Sequence, residues 1–218
     1  MSYDLLIKNG TVVDGLGTAR RRADVAVANG KIVAIGKVTD SAKKTIDAGD
    51  LIVAPGFVDP HTHYDAQICW DPLLSTSSWH GVTSVIMGNC GVGLAPCKPN
   101  IREIAAWDLV NVEAIPFEVL GKGIQWEWET FPEYMQAAQK RGSGINLGFL
   151  APLTPFRHYV MGEESMTVQR QQLRQHKSRP YSKRQLLQAR LVLPQRQSHS
   201  TLAIRGVRSH VAKPAVMN

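Results

Sequence analysis

The sequence predicts an α/β protein built from three successive parts: a small β domain, the start of a (β/α) barrel, and a basic tail of unclear structure. Three observations lead to this assignment. Short apolar runs separated by Asn-Gly and Asp-Gly pairs come first, apolar runs alternating with helix-like segments follow, and the composition changes abruptly near Thr167. We therefore divide the chain into residues 1–54, 55–167 and 168–218.

Strand-like runs fill the predicted β domain. They are short and rich in β-branched residues: Leu5–Ile7, Thr11–Val13, Asp24–Val27, Lys31–Ile35 and Thr45–Ala48. Several are separated by the pairs Asn9-Gly10, Asp14-Gly15 and Asn29-Gly30. These pairs favour tight hairpins, because Asn, Asp and Gly adopt positive φ at low cost.

The second part alternates strands with helices, as a (β/α) barrel requires. The predicted elements are strands that end at Val58, Met87 and Leu150, and helices over Ile101–Val110 and over Pro132–Arg141 with Thr130 as N-cap. From Gly56 to Thr167 there are 112 residues, whereas a complete barrel has about 250. We therefore expect an incomplete barrel whose open edge favours self-association.

His61, His63 and Cys90 are the candidate metal ligands. His61 and His63 follow an apolar strand-like run, and side chains two apart on an extended chain point the same way. Cys90 follows the next strand, 27 residues after His63, close to the roughly 30 residues of one barrel unit. Two imidazoles and a thiolate at neighbouring strand ends suit zinc, so we predict one or two Zn²⁺ ions.

The same region resembles the amidohydrolase superfamily and, within it, the D-aminoacylase (N-acyl-D-amino-acid deacylase) branch. The resemblance covers about residues 1–167 and rests on these stretches: Ala54–Gln67, Trp70–Pro72, Ser77–Thr83, Gly88–Gly91, Leu94–Cys97 and Arg157–Gly162. It implies an incomplete TIM-type barrel, preceded by part of a β-sandwich that both chain ends build. It also implies that His61, His63 and Cys90 contact zinc. Thr154-Pro155-Phe156 departs from the Gly-His turn of many members.

The resemblance implies a metal-dependent hydrolase of linear amide C–N bonds, acting on a small N-acyl amino acid and releasing a carboxylate and a D-amino acid. In these enzymes later strands supply two further His ligands and a proton-shuttling Asp. We place that Asp in an absent C-terminal half, name no catalytic residue here, and expect weak or no activity. The alternatives are a hydantoinase- or dihydroorotase-like cyclic amidohydrolase, against which Cys90 argues, and a non-catalytic zinc-binding fragment.

Other polar and aromatic residues of the second part carry weaker functional interpretations. His80 and His158 do not convincingly replace the missing ligands. Asp65 and Asp71 are as well suited to positioning loops as to chemistry. Trp126-Glu127-Trp128 either shapes a substrate pocket or, as is more common, anchors its loop to the core.

The tail has a composition of its own. Residues 168–218 contain eight Arg, three Lys and no acid, a charge of +11, whereas residues 1–167 carry −4. We interpret this acid-free segment as the product of a reading-frame shift and expect disorder. Basic segments can bind phosphates, but Tyr181 is its one aromatic residue, so it lacks stacking platforms and no nucleic-acid partner is expected.

Compartment follows from targeting signals and cysteines. No signal peptide or apolar run of about 18 residues is recognisable, so no membrane partner is expected. The three cysteines, Cys69, Cys90 and Cys97, have no disulfide-framework spacing. We expect a cytoplasmic location, where thiols stay reduced.

Overall fold

The computed structural model describes residues 2–166 and a strand at 202–205. These residues form two compact units, and the boundary between the units along the chain lies between Gly56 and Phe57.

The first unit is a β-sheet around its longest strand. β1 (Tyr3–Val12) pairs antiparallel with β2 (Arg21–Ala28), which pairs antiparallel with β3 (Lys31–Gly36). β1 also pairs in parallel with β4 (Ala42–Asp47) and with β5 (Ile52–Pro55). Its main core cluster is small and apolar, and its buried members are Ile7, Val12, Val25, Ala48 and Val53.

The Asn-Gly and Asp-Gly pairs of this unit have three different structures. Asn29 and Gly30 form the predicted tight hairpin between β2 and β3, with φ of 50° and 71°. The hairpin predicted at Asn9-Gly10 is wrong, because β1 runs through this pair and its register shifts between Ile7 and Gly10. The pair is a β-bulge, with Asn9 at a φ of 62°.

Packing explains why Gly10 lies within a strand. A Cβ atom at Gly10 would lie 2.5 Å from a methyl carbon of Val53. The missing side chain therefore allows β1 to approach β5. The hairpin predicted at Asp14-Gly15 is also not tight, because residues 13–20 connect β1 to β2, and Asp14 accepts a hydrogen bond of 3.0 Å from the Leu16 N–H within this loop.

The second unit is an α/β arrangement. β6 (Phe57–Thr62), β7 (Val82–Met87) and β8 (Asn146–Phe149) form a parallel sheet in that order. Up to Met166, the strands are accompanied by five α-helices: α1 (Ser75–Ser78), α2 (Arg102–Glu113), α3 (Phe117–Gly123), α4 (Phe131–Arg141) and α5 (Leu153–Met161). The core combines sheet residues such as Val85, Met87 and Leu147 with helical residues such as Leu109 and Tyr134.

The single strand predicted to end at Val58 is wrong, because two strands replace it. Gly56 separates β5, which belongs to the sheet of the first unit, from β6, which belongs to the sheet of the second. The Phe57 N–H donates to the Gly81 carbonyl at 3.0 Å, so the ladder with the second unit's sheet begins immediately after the glycine. One apolar run thus supplies two sheets.

Both predicted helices are present in the structure. The helix predicted over Ile101–Val110 is α2, which begins one residue later and continues to Glu113. The predicted N-cap of α4 is confirmed: Thr130 forms a capping box with Glu133, in which the Thr130 N–H donates to the Glu133 carboxylate at 2.8 Å.

The described part of the tail is one strand. Leu202–Arg205, inside the segment for which we expect disorder, forms β9 antiparallel to β5. Disorder therefore does not hold for these four residues, because β5 provides main-chain hydrogen-bonding partners. Residues 167–201 and 206–218 lie outside the described residues. Among the described helices, none has the length and apolar character needed to cross a membrane.

Candidate metal centre

The parallel pairing of β6 and β7 brings the candidate ligands to one edge of the sheet. Thr62, at the end of β6, is the register partner of Met87, at the end of β7. His61 and His63 flank Thr62, and Cys90 follows Met87 by three residues. The carboxyl ends of parallel strands meet at one edge of a sheet. The side chains of His61, His63 and Cys90 therefore lie at the same edge.

Hydrogen bonds fix the two strand ends. The Thr62 hydroxyl donates to the Ile86 carbonyl at 3.0 Å, and the Asn89 side chain donates to the Pro60 carbonyl at 3.0 Å. Gly88 has a φ of 82°, and a Cβ atom there would lie 2.2 Å from the Leu150 carbonyl oxygen. Only glycine fits at this turn. The turn determines the position of Cys90, which lies two residues later.

The three candidate ligands come together in the structure. One ligand atom from each of His61, His63 and Cys90 lies within 4.8 Å of the other two. The two imidazole rings stack with centroids 5.2 Å apart, so both histidines point the same way, and the Cys90 thiol lies 3.6 Å from Nδ1 of His63. His61 and Cys90 are exposed and His63 is half-buried.

The donor set and its dimensions fit zinc. Tetrahedral zinc with bonds of about 2.0–2.3 Å holds its ligand atoms roughly 3.3–3.7 Å apart. A separation of 4.8 Å or less therefore needs side-chain adjustments of about an ångström. Two imidazoles and a thiolate are zinc ligands by chemistry, and three protein ligands leave a fourth position open.

Sequence reasoning missed Glu113, the last helical residue of α2. Its carboxylate lies 2.5 Å from Nδ1 of His63, and both side chains are largely buried, at 20% and 25% exposure. The two residues are fifty positions apart, and no spacing rule links them. The helix predicted over Ile101–Val110 ends before Glu113, so no sequence signal drew attention to this residue.

Asp65 is a buried carboxyl beside these residues in the sequence. Burial raises its pKa to about 7, and the negative charge of Glu113 acts in the same direction. The Tyr134 hydroxyl donates to the Asp65 main-chain carbonyl at 3.0 Å. A Cβ atom at Gly93 would lie 2.8 Å from the Asp65 carboxyl, so this glycine makes room for it.

Asp71 has a different environment. Burial alone would raise its pKa, but hydrogen bonds from the Ser75 N–H and hydroxyl and from the Gln67 amide outweigh burial and lower it. Asp71 thus organises the start of α1 as an ionised hydrogen-bond acceptor.

The two other histidines that the structure describes, His80 and His158, are not part of the cluster. His80 is exposed, at the end of the link that precedes β7. The buried ring of His158 is fully engaged: Nε2 lies 2.8 Å from the Asp108 carboxylate and Nδ1 lies 2.5 Å from the Ser165 hydroxyl. His176, His199 and His210 fall outside the described residues.

The tryptophan pair anchors its segment to the core. Trp128 is buried and donates its indole N–H to the Leu94 carbonyl at 3.0 Å. Its ring packs edge-on against Tyr134, with centroids 4.9 Å apart. Trp126 packs against the same cluster and lies under the Arg102 guanidinium. These contacts match the anchoring interpretation of the pair.

Comparisons with known proteins identify close likenesses. The sequence profile of the amidohydrolase family matches residues 44–172, more than half of the chain. A D-aminoacylase of Alcaligenes xylosoxydans xylosoxydans is 35% identical over 160 residues, which is 73% of this chain and 31% of the relative. An N-acyl-D-glutamate deacylase of the same organism is 48% identical over 94 residues, which is 43% of this chain and 19% of the relative.

A solved structure gives the same result in three dimensions. The N-acyl-D-glutamate deacylase of Bordetella bronchiseptica, complexed with zinc and a phosphonate inhibitor that mimics the tetrahedral intermediate, superposes with a TM-score of 0.61 at 32% identity. The match covers 75% of this chain and 32% of that protein. This chain thus spans about a third or less of the length of these relatives.

Proposed function

We propose that this chain, which belongs to the amidohydrolase family, carries the zinc-binding strand ends of a hydrolase that acts on linear N-acyl-D-amino acids. The observation that supports this proposal is the convergence of His61, His63 and Cys90 within 4.8 Å. The substrate class follows from the relatives, which are a D-aminoacylase and an N-acyl-D-glutamate deacylase.

In this proposal His61, His63 and Cys90 hold one or two zinc ions. Bound zinc would supply Lewis-acid polarisation of the amide carbonyl and would lower the pKa of a water molecule. The chain's own contribution is positioning: the parallel ladder and the Gly88 turn fix the ligands on strand ends. Exposure of His61 and Cys90 leaves the edge open to a small substrate.

We further propose that the three parallel strands belong to a TIM-type barrel and that residues 1–54 belong to a β-sandwich. The strand–helix alternation from β6 to α5 and the TM-score of 0.61 support the first part. The division into residues 1–54, 55–167 and 168–218 remains our proposal. Three strands do not close a barrel, so an open sheet is expected to carry the cluster.

Cys90 favours the deacylase branch over the cyclic-amide alternatives. In the hydantoinase or dihydroorotase alternative, the metals are usually bridged by a carboxylated lysine instead. In the described part of the chain the candidate cluster contains two histidines and a thiol. The second alternative is a fragment that binds zinc without catalysis. A measurement of substrate turnover distinguishes this fragment from the proposed hydrolase.

We propose weak or no hydrolysis by the chain as given. The cluster is the one group of its kind among the described residues, and it offers three ligands. The proton shuttle that the family uses is not assigned to any residue of this chain. Asp65, the buried carboxyl nearest in sequence, is positioned by Tyr134 through its main chain.

The test combines metal binding with turnover on the full chain. Zinc stoichiometry is measured for wild type, for His61→Asn and for His80→Asn, a matched control at an exposed histidine. We expect zinc to bind to wild type and control and to be lost from His61→Asn. Release of free amino acid from N-acetyl-D-amino acids then decides activity. Equal zinc binding in all three proteins would overturn the site.

β6 has β7 on one side, and among described residues no strand covers its other side. Phe57 and Val58 are 54% and 62% exposed, so we propose self-association through this edge.

We also propose a cytoplasmic location, because Cys69, Cys90 and Cys97 are all free thiols.

A further inference from the structure

The Glu113 carboxylate has no role in the ligand set above, yet it contacts the ring of a ligand. The 2.5 Å separation of its oxygen from Nδ1 of His63 is a short hydrogen-bonding distance. Two ligands of one tetrahedral zinc would lie farther apart, at about 3.3 Å or more. Glu113 is also not among the three residues whose ligand atoms are all within 4.8 Å of one another. The contact therefore has the geometry of a hydrogen bond to the ring.

We propose that Glu113 is a positioning residue for the metal centre, accepting a hydrogen bond from the Nδ1–H of His63 and leaving Nε2 for zinc. The inference rests on the proposed zinc site and adds a residue to it. A carboxylate on the second ring nitrogen selects the tautomer, fixes the ring orientation and raises the basicity of the coordinating nitrogen. This links α2 to the strand ends that carry the ligands.

The position of Glu113 in its helix agrees with this role. Glu113 is the last residue of α2, and Ala114 ends the helix with a φ of 54°. Unpaired carbonyl groups at a helix C-terminus give it partial negative charge, so a carboxylate there is unfavourable. The contact with His63 offsets that cost. The side chain is only 20% exposed, so water competes weakly for its oxygens.

The experiment measures zinc affinity of the full chain with a competing chelator for wild type, Glu113→Gln and Glu118→Gln. Glu118→Gln is the matched control, because Glu118 is an exposed acid of α3. We expect Glu113→Gln to bind zinc roughly 10–100-fold more weakly, the usual cost of losing such a partner, and Glu118→Gln to match wild type. Equal affinity in all three proteins would overturn the inference alone, whereas absence of zinc binding by wild type would overturn the zinc site with it.

Two spectroscopic measurements separate positioning from ligation. With Co²⁺ in place of zinc, saturated Glu113→Gln should show the same absorption bands as wild type, because the ligand set is unchanged. A shift of the bands would make Glu113 a ligand and overturn the inference. In metal-free wild type, ¹⁵N chemical shifts should place the His63 proton on Nδ1. This measurement needs no variant, so the inference stays testable if Glu113→Gln does not fold, and the opposite tautomer would contradict it.

Discussion

The Cys90 sulfur lies 3.6 Å from Nδ1 of His63, although 27 residues separate them in the sequence. The contact is a consequence of register: Thr62 and Met87 are partners at the ends of two parallel strands. The register therefore brings the thiol beside the imidazole ring, whose Nε2 remains available to zinc while Nδ1 faces Glu113.

Cys90→Ser should weaken zinc binding by more than about 100-fold, because loss of a mere orienting partner already costs roughly 10–100-fold. The serine hydroxyl is a poor zinc ligand compared with a thiolate. Isothermal titration with zinc measures the loss. Cys69→Ser provides a matched control at another free thiol, and equal losses in both variants would count against a specific site.

Thiol reactivity should distinguish the three cysteines. Burial raises the pKa of Cys69 to about 11 and that of Cys97 to about 12, so both stay protonated and slow to react near neutral pH. Cys90 is exposed. Iodoacetamide at pH 8 should therefore label Cys90 first, and zinc should protect it. Peptide mass spectrometry gives the order, and preferential labelling of Cys97 would contradict the fold.

The two buried thiols, Cys69 and Cys97, should make the free energy of unfolding decrease as the pH rises. Their pKa values in the folded state lie above the reference value of 9.0, so the folded state retains protons that the unfolded chain loses. The stabilising contribution is present below pH 9 and is lost as the pH rises toward 11 and 12. Urea unfolding of wild type and Cys97→Ala at pH 8 and pH 10 tests this. We expect the wild type to lose more stability between the two pH values.

The sequence anticipates features that local chemistry determines. The Asn29-Gly30 hairpin depends on two adjacent residues and the Thr130 capping box on residues three apart, and both are present. His61 and His63 converge with Cys90 because strand and spacing rules constrain all three.

Features that depend on tertiary contacts escape sequence reasoning. The Asn9-Gly10 pair has hairpin chemistry, yet close approach to Val53 places it inside a strand. The run from Leu51 to Val58 is continuously apolar, and nothing local reveals that Gly56 divides it between two sheets. Glu113 reaches His63 only because α2 packs back toward the strand ends, a contact that no sequence pattern encodes.

The α4 cap should contribute measurably to stability. Thr130→Ala removes the hydroxyl that accepts from the Glu133 N–H and should lower the free energy of unfolding by about 1 kcal/mol. Urea denaturation with helical circular dichroism measures the change. Thr39→Ala, at an exposed threonine outside the helices, should have little effect. A loss of comparable size in both variants would remove the cap as its cause.

The exposed edge of β6 should control self-association. Phe57 and Val58 present apolar surface beside an edge that no other described strand covers. Lysine discourages edge-to-edge pairing, so Phe57→Lys combined with Val58→Lys should reduce the concentration-dependent increase in mass seen by sedimentation velocity. Leu16→Lys is the control, since Leu16 is 82% exposed and lies in the loop between β1 and β2. A wild-type chain that stays monomeric at every concentration would contradict self-association through this edge.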